Sequence, residues 1–283
     1  MPVLPHPAYV YRPMTVADLP AAHALSMQLK WPHRLEDWAM LQRVGEGFVV
    51  LDGERLIGSA FICPQGVYAT IGLVIVSDDY QGQGIGRRLM EKAIEACQSR
   101  TPMLNATLAG APLYASLGFI EFGRVQQHQG QGAVPHLVAL AEEETCRVLR
   151  ADDYLAMLAL ANAGSGLDRK EVLADLLVEH AVGIERHGKL SGFALLRPFG
   201  RGYCIGPVVA ENLEQAKHLV AILLTQVPNA FVRIDIPEGC GLSDWLEQAG
   251  LKQVDTVAQM ALGKPPRAVA GAHQFALVTQ AIG

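Results

Sequence analysis

A β-branched apolar run leads directly into a glycine-rich loop and then into an amphipathic helix within residues 71–97. The run from Ile71 to Val76 predicts a buried strand. The loop QGQGIG covers Gln81 to Gly86, and one stripe of the helix after it is apolar: Leu89, Met90, Ala93, Ile94 and Cys97. Because the first N–H groups of a helix lack intrahelical partners and carry partial positive charge, this arrangement predicts a phosphate-binding turn.

The spacing of the glycines distinguishes among phosphate-binding loops. The three glycines would let the backbone approach an anion closely, and Arg87 and Arg88 add positive charge at the same end. A nucleotide P-loop requires a final Gly-Lys-Ser/Thr, and the dinucleotide fingerprint requires a glycine at position 87; neither is present. The pattern that fits is Gln-x-x-Gly-x-Gly from Gln81. A tight turn with structural glycines is the alternative interpretation.

Strand and helix signals alternate on both sides of this loop. Strands are predicted over 9–14, 48–51, 56–63, 67–76 and 102–106, and further helices over 17–30, 35–44 and 111–117. Asp52-Gly53 predicts a hairpin between the second and third strands. Two closing strands are expected over 119–128 and 134–140, separated by the glycine-rich residues 129–132. This order predicts an α/β fold with a mixed sheet.

A second motif follows about 30 residues after the loop, in Leu113-Tyr114-Ala115-Ser116-Leu117-Gly118-Phe119. Together with Gln81-x-x-Gly84-x-Gly86 and the element order, it resembles the GNAT acetyltransferase superfamily, which has a Leu-Tyr-x-x-x-Gly-Phe helix. The resemblance implies a twisted mixed sheet flanked by helices, with acetyl-CoA as the co-substrate.

The resemblance also implies which residues contact acetyl-CoA. Strand backbone would pair with the pantetheine amides, and the loop and helix start would take the pyrophosphate: Val74, Ile75, Val76, Gln81, Gly82, Gln83, Gly84, Ile85, Gly86, Arg87, Thr107 and Tyr114. Many members carry an asparagine where this chain has Thr107, so the role of that position stays open. Tyr114 resembles the general acid that protonates the leaving thiolate, and a packed tyrosine is the alternative.

The second half of the chain repeats the first at an offset of about 134 residues, which indicates two diverged copies of one domain. Three matches define the repeat: Arg12 and Asp18 with Arg147 and Asp153, Ile71-Gly72 with Ile205-Gly206, and Tyr114-x-x-x-Gly118-Phe119 with Leu246-x-x-x-Gly250-Leu251.

The second copy has lost the cofactor loop. After Ile205 the chain runs to Ala210 and enters a helix directly through Glu211-Asn212-Leu213-Glu214, whose carboxylates would repel a pyrophosphate. We therefore expect one cofactor site per chain, as in tandem GNAT proteins. The expected domains are an active N-terminal one over 1–141 and a degenerate C-terminal one over 145–264, with a tail over 265–283.

No motif defines the acceptor side. An alkyl amine of pKa ~10.4 costs roughly 4–5 kcal/mol to deprotonate at pH 7, so a base or a water chain is expected. In GNAT proteins the first helix pair borders the acceptor, which places His33 as a catalytic or substrate-binding residue and Trp31 as a substrate wall. A surface histidine and a core tryptophan are the alternatives, and His128 is a second candidate base.

Polar residues of the second copy allow two interpretations. Arg233 and Asp235 alternate with apolar residues on one strand, so both side chains lie on one face. They form either an ion pair at the domain interface or a wall of the substrate pocket. Asp168, before Arg169, reads as a helix N-cap.

Composition limits the cell compartment and the partners. Of the 283 residues 50% are hydrophobic, yet no run approaches the ~20 apolar residues of a membrane span. The net charge of −5 argues against a nucleic-acid surface. The first residues lack signal-peptide architecture, and the five cysteines are widely spaced without metal-ligand spacing. We expect a cytoplasmic protein with reduced cysteines and no metal. We expect neither a membrane nor a nucleic-acid partner, and a homodimer is compatible with the sequence.

These observations predict an N-acetyltransferase that moves the acetyl group of acetyl-CoA to a primary amine, of a small molecule or a peptide, by direct attack. A non-catalytic acyl-CoA-binding or sensing module is the alternative. An acyl group longer than acetyl also fits the sequence.

Overall fold

The computed structural model describes residues 9–132, 135, 137–176 and 180–283. The first half runs in the order β1 Val10–Pro13, α1 Leu19–Gln28, α2 Leu35–Val44, β2 Glu46–Asp52, β3 Arg55–Gln65, β4 Tyr68–Val76, α3 Ile85–Ala96, β5 Thr101–Ala106, α4 Ala111–Ser116 and β6 Ile120–Gln131. The second half runs in the order β7 Glu144–Val148, α5 Tyr154–Ser165, α6 Lys170–Leu176, β8 His180–Arg186, β9 Lys189–Phe199, β10 Gly202–Ala210, α7 Leu213–Gln226, β11 Phe231–Pro237, α8 Ser243–Gln248, β12 Lys252–Ala261 and β13 His273–Ala276. Up to β12, the second half repeats the first element for element.

The strands of both halves form one continuous 13-stranded sheet in the order β1-β2-β3-β4-β5-β12-β6-β11-β10-β9-β8-β7, with β13 added on β10. Two neighbouring pairs run parallel, β4 with β5 and β10 with β11, and the other pairs are antiparallel. The predicted mixed sheet is thus confirmed.

The two halves exchange their closing strands. β12 of the second half pairs with β5, while β6 of the first half pairs with β11, and β6 and β12 pair with each other. The first expected closing strand, over 119–128, is confirmed as β6, but the expectation of a second over 134–140 is wrong for its described residues. Residues 137–140 are not in a strand, and residues 133, 134 and 136 lie outside the described residues. The partners of β6 come about a hundred residues later, so no local pattern reveals them.

The glycine-rich residues 129–132, expected to separate two strands, instead allow close packing. β6 continues through Gln131, and a Cβ on Gly130 would lie 2.3 Å from the carbonyl oxygen of Gly250. No side chain fits between these two backbones, so a glycine is required where the halves meet.

Each half begins with an equivalent arginine–aspartate ion pair. The Arg12 guanidinium donates to both carboxylate oxygens of Asp18 at 2.7 Å, and Arg147 donates to those of Asp153 at 2.7 and 2.9 Å. These guanidinium groups hold the pKa of both carboxyls well below their usual range. The repeat inferred from the Arg-to-Asp spacing is therefore also present in three dimensions.

One apolar cluster joins the two halves. It includes Leu25, Trp38 and Leu41 of the first half and Met157 and Leu173 of the second, all buried. At its edge the Arg43 Nε atom lies 2.5 Å from an Asp175 carboxylate oxygen. Because the halves share this core, cavities between them have walls from both.

The five cysteines are spread over both halves of the chain. All five cysteines are unpaired; Cys63, Cys97 and Cys204 are buried, and the other two are half-buried. Across the described ranges, none of the helices has the length and apolarity needed to cross a membrane. The same residues hold no cluster of three or more metal-ligating side chains.

Candidate active site

A groove opens where β4 separates from β5. The two strands pair only over Tyr68–Thr70 at the start of β4. Farther along, Leu73 and Val74 together oppose the single residue Ala60 of β3, which is a β-bulge. The bulge bends β4, and no strand of the described chain pairs with Val74–Val76 on the side facing β5. The backbone of Val74–Val76 is therefore an open strand edge.

The bulge is fixed by backbone conformation and one hydrogen bond. Leu73 has a φ of 49°, in the left-handed region that a leucine rarely adopts. Its carbonyl accepts a hydrogen bond of 2.9 Å from the buried hydroxyl of Ser59. No feature of the sequence predicts this bulge, since Leu73 lies within an ordinary apolar run.

The glycine loop forms the far end of the groove. Gly82 and Gly84 have φ of 75° and 77°, and both are exposed. The first hydrogen bond across the turn runs from the Arg88 N–H to the Gly84 carbonyl at 3.1 Å. The N–H groups of Ile85, Gly86 and Arg87 come before it and lack such a bond in the described chain, so the helix start presents donors where the sequence predicts an anion-binding turn.

Side chains brace this loop from three directions. The Gln81 amide donates to Asp78 at 2.9 Å, and the Gln83 amide oxygen accepts from the Tyr9 hydroxyl at 2.7 Å, which turns the Gln83 side chain out of the groove. Arg87 donates to the Ser116 hydroxyl at 2.7 Å and so ties α3 to α4. The loop is therefore held in place before any ligand arrives.

The groove has a volume of about 560 Å³, within the range of small-molecule sites. Apart from Gln83, the residues expected to contact the cofactor all line it: Val74, Ile75, Val76, Gln81, Gly82, Gly84, Ile85, Gly86, Arg87, Thr107 and Tyr114. The Thr107 hydroxyl accepts a hydrogen bond of 3.2 Å from the Gly110 N–H, which fixes the turn into α4.

Tyr114 is a buried phenol at the side of the groove. Its side chain packs beside Phe119, and burial raises the pKa of Tyr114 to about 12. The hydroxyl is therefore protonated at neutral pH, in the form that donates a proton. A Cβ on Gly110 would lie 2.9 Å from the Tyr114 ring, so this glycine leaves room for the tyrosine.

A second cavity of about 250 Å³ adjoins the groove. Five residues line both: Trp31, Gly72, Leu73, Asn105 and Thr107. Its other walls come from both halves of the chain: Lys30, Pro32, His33, Gln127, Arg233, Asp255, Gln280 and Ala281. We call this cavity the acceptor pocket. The second half, which lost the cofactor loop, thus supplies part of its wall.

His33 lies in the wall of the acceptor pocket. Its ring meets the ring of Phe199 edge-on at 5.4 Å, and its Nδ1 atom is buried without a partner among the described residues. Burial, with the charge of Arg233, lowers the pKa of His33 to about 4. His33 is therefore neutral at physiological pH, and its Nδ1 can serve a bound molecule.

The other candidate histidine lies elsewhere. His128 is fully buried, with Nδ1 3.1 Å from the Leu251 carbonyl and Nε2 3.3 Å from the Ser243 hydroxyl. Both ring nitrogens are already paired, so His128 is a structural histidine of the strand-exchange region. Its position as the second candidate base is corrected accordingly.

Asn105 was missed by the sequence reasoning. It lines both cavities, its amide nitrogen donates to the Gln280 carbonyl at 2.8 Å, and its Oδ1 is buried without a partner in the described chain. The family resemblance places the asparagine position at Thr107 instead. Strand alternation places residues 105 and 107 on the same face, and this signal could have identified Asn105.

In the second half, the tail covers the strand edge that lies open in the first half. β13 pairs with Val208–Ala210, the counterparts of Val74–Val76 in the repeat. Asn212 caps the start of α7, since its side chain accepts from the Gln215 N–H at 3.0 Å, and the Tyr114 counterpart Leu246 is fully buried. A cofactor groove like that of the first half cannot open here without displacing β13.

The tail continues into the boundary between the halves. The buried Arg169 donates to the Gln65 side chain at 2.7 Å and to the Ile282 carbonyl at 2.8 Å. Asp168 accepts from the Lys170 N–H at 3.1 Å, close to its expected role at the helix start. These contacts place Gln280 and Ala281 in the acceptor pocket.

Arg233 and Asp235 meet both interpretations drawn from the sequence. They form an ion pair within β11, with Nη2 2.9 Å from a carboxylate oxygen, and Arg233 lines the acceptor pocket. The pair therefore helps to build a pocket wall.

Comparison with protein families and curated proteins identifies relatives for both halves. Family models described as "Acetyltransferase (GNAT) domain" match residues 27–140 and 157–276. The chain is 30% identical over 223 residues to the uncharacterized N-acetyltransferase YitH of Bacillus subtilis, covering 77% of this chain and 78% of that protein. It is 23% identical to the holothin acyltransferase of a Pseudoalteromonas species, covering 93% and 90%.

Solved structures share the fold. A Pyrococcus horikoshii protein proposed to be an acetyltransferase superposes with a TM-score of 0.81 at 20% identity, covering 100% of this chain and 99% of that one. A tandem GNAT protein from the clavulanic acid biosynthesis pathway gives 0.66 at 14% identity, covering 90% and 99%. A GCN5-related N-acetyltransferase from Sphaerobacter thermophilus gives 0.67 at 15% identity, covering 95% and 99%.

Proposed function

Since this chain is an acyltransferase that belongs to the GNAT acetyltransferase family and carries two GNAT domains in tandem, we propose that its first half transfers the acetyl group of acetyl-CoA to a primary amine held between the halves. One observation carries this proposal: the groove and the acceptor pocket meet at Leu73, Asn105 and Thr107. An amine in the pocket can therefore reach a group in the groove.

The groove fits acetyl-CoA in shape and in donor chemistry. The open edge of Val74–Val76 suits the pantetheine amides, and the N–H groups of Ile85 to Arg87 suit the pyrophosphate. The buried Asn105 Oδ1 is a further acceptor without a partner in the described chain. When bound, acetyl-CoA supplies an activated acetyl thioester at the end of the groove nearest the acceptor pocket. The second half, whose equivalent edge is covered by β13, supplies acceptor contacts only.

The domain assignment follows from these different roles, cofactor binding in the first half and acceptor contacts in the second. We assign an active domain to residues 1–141, a degenerate one to 145–264, and a tail to 265–283. The family matches leave residues 141–156 between them, and β13 lies in the tail.

The reaction needs one bond formed, one broken and two proton movements. The amine nitrogen attacks the thioester carbonyl carbon, and the carbon–sulfur bond breaks. Tyr114 donates a proton to the departing thiolate, and its raised pKa keeps the hydroxyl protonated until this step. The attacking nitrogen loses a proton to solvent or to His33 Nδ1. With a pKa of about 4, His33 is a weak base that stays neutral, so its main role is to position the amine through the Nδ1 lone pair.

The relatives support acyl transfer to nitrogen but not a particular acceptor. One is named an N-acetyltransferase and the other an acyltransferase for holothin. The length of the acyl group in this chain is therefore part of the test.

Thiol release from acetyl-CoA, measured across amines, amino acids and peptides, tests the proposal. We expect turnover with at least one amine and a fall in kcat of about 10²-fold or more in Tyr114→Phe, because only the proton donor is removed. Tyr203→Phe, outside the groove, is the matched control and should retain activity. Comparing acetyl-CoA with longer acyl-CoA esters determines the acyl preference.

Two results would reject this assignment. Full activity in Tyr114→Phe would remove Tyr114 as the general acid. Tight CoA binding by calorimetry, with no acceptor acylated, would instead support a sensing module.

A further inference from the structure

Arg233 places a buried positive charge in the wall of the acceptor pocket. Only 9% of its side chain is exposed, and it lines the cavity from β11. Its Nε atom lies 3.0 and 3.1 Å from the two Asp235 carboxylate oxygens, and its Nη2 lies 2.9 Å from one of them. Asp235 therefore engages one edge of the guanidinium group.

The other edge of the guanidinium group is available to a ligand. A guanidinium has five N–H donors in a planar fork, and Asp235 accepts from two of its nitrogens. The Nη1 atom has no hydrogen-bond partner among the described residues, although the side chain is largely buried. A cation that faces a cavity with unused donors is a recognition element for a planar anion.

The surroundings hold Arg233 in this orientation. Its Cζ atom lies 5.5 Å from the centre of the Phe199 ring, and Asp235 also accepts from the Gln280 amide at 3.1 Å. The donors therefore lose little further entropy when a ligand binds.

Other charges near the pocket lie toward solvent. Lys30 and Asp255 line the cavity as exposed residues of opposite charge, and neither forms an ion pair within the described ranges. The charge of Arg233 contributes to the depressed pKa of His33, so it acts inside the pocket despite Asp235. Arg233 is therefore a buried charged group of the described pocket lining, while Lys30 and Asp255 lie at its exposed side.

We infer that the acceptor is a small primary amine that also carries a carboxylate, and that Arg233 binds this carboxylate while the amine points toward Leu73 and Asn105. The inference rests on the proposed function and adds the class of substrate to it. A cavity of about 250 Å³ suits a molecule the size of an amino acid. A carboxylate can accept two parallel N–H bonds from the free edge of the guanidinium group.

Matched acceptors test this inference directly. We would compare an amino acid, its carboxamide and the amine that lacks the carboxyl group, with acetyl-CoA at saturation. We expect kcat/KM to favour the carboxylate by about tenfold or more, mainly through KM, because hydrogen bonds to a charged acceptor are stronger than those to a neutral one.

Variants then test whether Arg233 causes the preference for the carboxylate. In the double variant Arg233→Gln/Asp235→Asn, which leaves no lone buried charge, the preference for the carboxylate should disappear. Arg201→Gln is the matched control, since Arg201 is exposed and stacks on Phe231 outside the pocket. Circular dichroism and thermal unfolding verify that each variant folds.

The outcomes separate this inference from the proposed function. If the carboxamide and the plain amine are acetylated as well as the amino acid, the inference is wrong and the proposed function stands. If none of the three molecules is acetylated, calorimetric titration still measures how tightly each one binds. Carboxylate binding that is lost in the double variant would then support the inference even as the proposed function fails, and equal binding of all three would overturn it.

Discussion

At the scale of single residues, burial determines what His33 can do. The residue was selected because histidine titrates near neutral pH, but in the structure its pKa is about 4. The histidine of an unfolded chain has a pKa near 6.5 and binds more protons than the folded one between pH 4 and 6.5. Folding stability that depends on His33 is therefore present above pH 6.5 and is lost as the pH falls toward 4.

This difference yields a stability prediction. Between pH 7.5 and 4.5, wild type should lose about 2 kcal/mol more unfolding free energy than His33→Asn, because the variant has no imidazole to protonate. Urea unfolding at both pH values measures it. His187→Asn, whose histidine is exposed, is the control and should lose as much as wild type. Equal losses in wild type and His33→Asn would contradict the depressed pKa.

At the scale of elements, the loop before α3 depends on left-handed glycines. Gly84 has a φ of 77°, and an added Cβ there meets no atom within 4 Å, so an alanine is opposed by backbone strain alone. That strain is about 1–2 kcal/mol. We predict that Gly84→Ala weakens the Kd for CoA about five- to tenfold, because the N–H groups of the first turn shift.

The β2–β3 hairpin offers a matched control for this prediction. Gly53 has a φ of 58° and the same open surroundings, but it lies outside the groove. Gly53→Ala should lower stability by a similar amount and leave the Kd for CoA unchanged. Calorimetry with CoA measures both variants. Equal weakening in the two would show that the loop backbone does not hold the pyrophosphate.

At the scale of the whole molecule, strand exchange should make the two halves unfold together. β6 and β12 each complete the sheet of the other half, so each half loses the pairing of its exchanged strand when the other unfolds. The tryptophans provide a local probe, since Trp31 and Trp38 lie in the first half and Trp245 in the second. We predict a single cooperative transition.

Fluorescence-monitored unfolding in urea tests this cooperativity. Trp245→Phe leaves Trp31 and Trp38 of the first half as the reporters, and Trp31→Phe/Trp38→Phe leaves Trp245 of the second. Each variant is compared with its own circular dichroism curve, which follows both halves. Coincident midpoints within each variant are expected. Separate midpoints would mean that the halves unfold independently despite their shared strands.

Much of the architecture could be predicted because its causes are local. The α2 helix lies at the predicted residues 35–44, and the glycine loop joins the predicted strand and helix. Periodicity, caps and turn residues act over a few positions, so they can be read from the sequence. The repeat was visible for a similar reason, since both copies kept the same spacing of arginine and aspartate.

The sequence alone determined the element order, the two copies of one domain and the loss of the glycine loop from the second. Only the tertiary structure decided that β6 and β12 change places, that β13 covers the second strand edge, and that Asn105 and Arg233 meet in one pocket. The physical reason is distance along the chain. These contacts join residues more than 60 positions apart, and burial then sets their chemistry, as it lowers the pKa of His33.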